Sequence, residues 1–112
     1  MKFDKSHFIE ELRFCIKTKD SIKLNVLMQY IDLLDRQALK RMLFELSRAD
    51  DEFALPVIVK ICRDHPNIPD TIPEISAVLL QKIPHHLSEL ASLYKDEQIT
   101  FSTLLTELAE EI

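Results

Sequence analysis

The chain has 112 residues, 46% of them hydrophobic and 29% charged, with 14 lysines and arginines against 19 aspartates and glutamates, a formal charge of −5, and neither glycine nor tryptophan. That length sustains one hydrophobic core without disulfide or metal staples, so a single domain over 1–112 is the first expectation. Without glycine, β-hairpin turns and phosphate-cradling loops lose the residue they depend on, and the negative charge opposes a phosphate backbone; what is left is an all-α chain for which nucleic acid is not an expected partner. No stretch approaches the roughly 20 apolar residues of a membrane span, and MKFDKSHFIEEL carries acids where a signal peptide needs an apolar run. No membrane association and a cytoplasmic location are therefore expected.

Along the chain, Phe8, Ile9, Leu12, Cys15 and Ile16 recur at offsets of three and four, which predicts a helix over 6–18 with Ser6 as its N-cap. A second helix opens at Asp20 and carries Ile22, Leu24, Val26, Leu27, Met28, Tyr30, Ile31 and Leu34, apolar over more than half its circumference, as for a helix covered on two sides. The third follows Asp35 as RQALKRMLFELSRA, with Leu39, Met42, Leu43 and Leu46 facing inward and Arg36, Lys40, Arg41, Glu45 and Arg48 outward. The fourth, DDEFALPVIVKICRD, is capped by Asp50 or Asp51 and holds Pro56 inside its apolar pattern. That proline removes one internal hydrogen bond and predicts a bend near the start of the helix.

The connection HPNIPDTIPE follows, where Thr71 and Glu74 stand at capping-box spacing ahead of the fifth helix, TIPEISAVLLQKI. Pro84 restarts the chain as PHHLSELASLYKD, with Leu87, Leu90, Ala91 and Tyr94 on one stripe. Thr100 caps a last helix that shows Phe101, Leu104, Leu105, Leu108 and Ile112 on one face. This stripe is still running at Ile112. Two expectations follow from it: that these residues form the N-terminal module of a longer protein, and that the face from Phe101 to Ile112, with nothing to cover it, mediates self-association.

The second and fourth helices echo each other. Setting Asp20 against Asp51 pairs Ile22 with Phe53, Leu24 with Leu55, Val26 with Val57, Leu27 with Ile58 and Ile31 with Cys62, and the following helices match as Leu39, Met42, Leu43 and Phe44 against Ile75, Val78, Leu79 and Leu80. A helix pair thus recurs at a spacing found in helical solenoids. On these residues, and above all on FALPVIVKICRD flanked by straight leucine-rich helices, residues 35–83 resemble HEAT or armadillo-type repeats. The resemblance implies a short α-solenoid of about seven helices, a right-handed stack of antiparallel helix pairs, serving as a non-catalytic scaffold or adaptor for protein–protein interaction. The alternative is a sensory or regulatory module of a larger bacterial-type signalling protein; a HEAT-like enzyme acting on nucleic acid ranks third.

The pattern offers little chemistry. Cys62 and His65 form C-x-x-H and His85 adjoins His86, but no second pair stands at matching spacing for a closed zinc site. Both cysteines fall within apolar helical patterns, as reduced core thiols do, and no serine sits in an activated turn. Neither catalytic residues, metal nor cofactor is expected. The one basic concentration is Arg36, Lys40, Arg41 and Arg48, which is either a solvated helix face or a surface for an acidic partner. Candidate contacts to another protein, or to another domain of the same chain, are Arg36, Lys40, Arg41, Glu74 and Gln81.

Overall fold

A computed structural model describes residues 4–112, and among these all regular structure is helical: eight α-helices and two single-turn 3-10 segments. That is one more α-helix than hydrophobic periodicity marks, the addition being a single turn within the connection after His65. The helices divide into two compact units, parting between Ala49 and Asp50.

In the first unit, α1 (Lys5–Thr18) starts at Asp4, whose carboxylate accepts the N–H groups of Ser6 at 2.9 Å and His7 at 3.5 Å. The cap is therefore Asp4 and not Ser6. An acceptor two residues earlier reaches the free amides of the first turn, and Ser6 becomes one of the donors. Phe8, Ile9, Leu12 and Cys15 are buried. At the other end Lys19 takes the left-handed conformation (φ 55°), its N–H bonds to the Ile16 carbonyl and that of Asp20 to the Cys15 carbonyl, which is the Schellman closure normally built on glycine. Asp20 then caps α2 (Ser21–Met28), accepting from the Lys23 N–H at 3.0 Å.

The second helix departs most from its sequence pattern. It ends at Met28, and a 3-10 turn at Ile31–Leu33 follows. Only Leu24 and Met28 are buried within α2, while Ile22 is 79% exposed and Val26, Tyr30 and Leu33 also face solvent. The expectation of a helix covered on two sides is thus overturned, because α2 packs mainly on α1 and one neighbour covers one face. The 3-10 turn, with its three-residue repeat, brings Ile31 and Leu34 inward together.

Leu34 and Asp35 are extended, and Asp35 caps α3 (Arg36–Arg48) by accepting the Ala38 N–H at 2.8 Å. Its carboxylate also pairs with Lys5. Farther along, Arg13 Nε donates to Glu45 Oε1 at 2.9 Å. Start meets start and middle meets middle, so α1 and α3 run parallel, with the chain returning through α2.

In the second unit, α4 (Asp51–Asp64) buries Ala54, Leu55, Ile58, Val59, Ile61 and Cys62 and remains helical through Pro56. Pro56 and Glu52, four residues before it, are both exposed, which lets water replace the lost amide donor. The added turn, α5 (Ile68–Thr71), buries Ile68, with Ile72 buried just beyond it. Thr71 closes that turn: its hydroxyl donates to the Asn67 carbonyl at 3.0 Å. The expected capping box with Glu74 is therefore not formed, and α6 (Glu74–Lys82) starts after Pro73 with no side-chain cap.

Ile75 and Leu79 are buried on α6, and Lys82, 6% exposed, sends its ammonium to Asp51 Oδ1 at 3.1 Å. The end of α6 thus lies beside the start of α4, and the two are antiparallel. After the 3-10 turn at His85–Leu87, α7 (Ser88–Lys95) buries only Ala91. Glu97 (φ 60°) repeats the Schellman closure, with Gln98 N–H on the Leu93 carbonyl and its own N–H on Tyr94. Thr100 then caps α8 (Phe101–Glu111) by accepting the Thr103 N–H at 3.1 Å. The last stripe is not open: α8 packs on α4 and α7, and Leu104, Leu105 and Leu108 are buried. Ile112 alone of that face is exposed, so the apolar surface expected to drive self-association is already used inside the unit.

Two predictions follow. Lys19→Gly or Glu97→Gly should each raise the unfolding free energy by about 1 kcal/mol, read as a higher urea midpoint, since a left-handed residue with a Cβ is replaced by one without; a fall in both would show that the side chains contribute more than the backbone costs. Asp35 has its carboxyl held below the ordinary 3.8 by Lys5 first and the Ala38 N–H second. Its contribution to stability is complete above the ordinary aspartate value and is lost as pH falls through the lower folded value. Stability of the wild type should therefore decline more steeply with acidification below about pH 4 than that of Asp35→Asn, which keeps an acceptor but does not titrate; parallel pH profiles would remove this role.

Candidate interaction surface

Helix α3 is the most strongly two-faced of the long helices. Ala38, Leu39, Met42, Leu43 and Leu46 are buried, and on the opposite side Arg36, Gln37, Lys40, Arg41, Phe44 and Arg48 are all exposed. At about 100° per residue these six occupy an arc of roughly 140°. No carboxylate lies within it; Glu45, at its border, is half-buried and held by Arg13. Among the described residues Arg36, Lys40 and Arg41 form no ion pair, and the Arg48 guanidinium lies over the Phe44 ring at 5.5 Å from its centroid.

Three of the five residues singled out by sequence thus share one exposed face. Glu74 and Gln81 are also exposed, seven residues apart on one side of α6, in the second unit. Hydrophobic spacing alone missed Phe44, which it pairs with Leu80 as a repeat position; Phe44 is 57% exposed. A helical projection carries the missing signal, for Phe44 falls four residues from Lys40 and four from Arg48, away from the leucine face.

Charge is divided as sharply as the fold. Residues 1–49 hold ten lysines and arginines against seven aspartates and glutamates, a net of +3, whereas residues 50–112 hold four against twelve, a net of −8. The overall −5 conceals a basic unit. Exposed large apolar side chains follow the same division: Phe14, Ile22, Val26, Tyr30, Leu33 and Phe44 belong to the first unit and only Ile112 to the second.

Cys15 and Cys62 are both buried and free of disulfides. Burial pushes the Cys62 thiol up to about 12, and burial also raises that of Cys15, so neither supplies thiolate near neutral pH. A shallow cleft of about 350 Å³ in the second unit is lined by Cys62, Arg63, Asp70, Phe101, Ser102 and Thr106 among others, with no histidine in the lining to act as base for its hydroxyls. Among the described residues no three His, Cys, Asp or Glu side chains converge as metal donors, and no helix is long and apolar enough to cross a membrane. Comparison of the chain with protein-family models, curated proteins and solved structures finds no match to any of them.

Native protein at about pH 8 should leave both thiols unmodified by iodoacetamide over a time in which urea-unfolded protein is fully alkylated, as mass spectrometry of the two samples would read. Rapid labelling of Cys62 in the native protein would reopen the cleft as a reactive site.

Proposed function

We propose that this chain is a non-catalytic, all-helical interaction module that offers the outward face of α3 to another protein or to another domain of its own chain. The observation that carries this reading is the row of Arg36, Lys40 and Arg41, exposed and, among the described residues, free of ion pairs, on a helix whose other face is buried in the core. Solvated lysines and arginines ordinarily stand among acids. Here an arc of roughly 140° contains none.

The resemblance to HEAT and armadillo repeats supports the reading through one pair only. Antiparallel α4 and α6, with Pro56 inside the first, fit such a repeat, while α2 at eight residues is too short to match α4 at fourteen. Nucleic acid is the weaker partner class for this face, because a second basic helix beside the first is the usual footprint and the rest of the chain repels phosphate. Glu74 and Gln81 remain contact candidates on α6, in the acidic unit.

Affinity capture from extract of the cells that make the protein, with wild type and Arg36→Glu/Lys40→Glu/Arg41→Glu as parallel baits, tests the reading. All three side chains are exposed, so the thermal midpoint should stay within about 2 °C of wild type. A protein retained by the wild type and lost from the triple variant is the expected result; identical captures would take α3 out of consideration and leave the Glu74 and Gln81 face to be tried.

A further inference from the structure

The α3 face has a geometry narrower than basic charge. Arg36, Lys40, Phe44 and Arg48 follow one another at intervals of four, which makes them a single ridge of the helix surface rising about 6 Å per step and about 18 Å from end to end. Arg41 stands beside that ridge. Four cations therefore flank one exposed ring, and the ring lies inside the row with a cation on either side.

We infer that this ridge docks an acidic amphipathic helix of a partner protein, whose carboxylates, spaced four apart, pair with Arg36, Lys40, Arg41 and Arg48 while an apolar side chain between them covers Phe44. The inference rests on the interaction reading above. A helix is the occupant because rows spaced by four on one helix seat in the grooves of another. An extended peptide would gain no main-chain hydrogen bonds, since the amides and carbonyls of α3 are consumed within it. Carboxylates are selected by four positive charges with no acid among them. An apolar anchor is selected by Phe44, which the Arg48 guanidinium holds from one side without covering. An exposed aromatic ringed by charge is the arrangement from which binding hot spots are made.

A membrane surface would require the apolar face of α3, and that face is buried. Phosphate backbones would use the cations and leave the ring idle.

Fluorescence anisotropy of the whole chain with labelled helical peptides of about 18 residues tests this, the length being enough to sustain a helix over the ridge. One peptide carries glutamates four apart with a central leucine, a second has glutamine at the same positions, and a third has serine for the leucine. The glutamate peptide should bind, and weaken roughly tenfold between low and moderately high salt. The glutamine peptide, and the glutamate peptide against Arg36→Glu/Lys40→Glu/Arg41→Glu, should bind at least about tenfold more weakly. Phe44→Ala should cost about fivefold, equal to the loss from the serine peptide, with the salt dependence unchanged.

Equal binding of the glutamate and glutamine peptides overturns the inference, as does tight binding of duplex DNA or anionic vesicles that the glutamate peptide fails to displace. If no peptide binds while the triple variant still loses its partner in capture, the acidic-helix assignment falls and the interaction reading stands. If both fail, both fall.

Discussion

A chain without glycine must end its helices by other means, and much of this structure follows from that constraint. Asp4, Asp20, Asp35 and Thr100 each place a side-chain oxygen on the amides that a helix start leaves free. Two helix ends need a left-handed residue, and a lysine and a glutamate serve, each with two main-chain hydrogen bonds to hold the conformation. Helices α2, α4 and α6 are followed instead by a 3-10 turn or a proline, and α3 by the extended Ala49. Because turns of this kind are short and specific, successive helices are held close, and α1 and α3 are brought near enough for Lys5 to reach Asp35 and Arg13 to reach Glu45.

The helices legible in the sequence were those with one apolar face. For α1, α3 and α8 the stripe is narrow and one side is buried; the spacing names every buried residue but Ala38, and it also names Ile16 and Phe101, which are half-buried, and Ile112, which is exposed. Over residues 22–34 apolar content does not amount to coverage. Ile22, Val26, Tyr30 and Leu33 are apolar yet exposed, and nothing in a period separates a helix with two neighbours from one with an uncovered flank. Thr71 and Glu74 are a different case: the spacing for a capping box is present, but Asn67 and Ile68 have already begun a turn of their own, and its hydrogen bonds take the threonine. Local patterns compete, and the sequence does not rank them.

For the candidate surface, Arg36, Lys40 and Arg41 were legible because the leucine face of α3 determines where the other face lies. Phe44 was not, since an aromatic residue is assigned to the core by default and its exposure emerges only when the inner face is already filled by Leu39, Met42, Leu43 and Leu46. The basic character of the first unit was hidden by summation over the chain. Only once the fold shows where one unit stops does the division of charge become visible.

That division has a consequence for the protein in solution. The chain as a whole has an isoelectric point near 5.3, but this value describes neither unit. Acidification carries the second unit from −8 through its own neutral point, whereas the first begins positive and only becomes more so. At the pH where the molecule as a whole carries no net charge, the first unit is still positive and the second still negative. Neighbouring molecules then attract through unlike halves, so the minimum of solubility is an electrostatic association that added salt relieves.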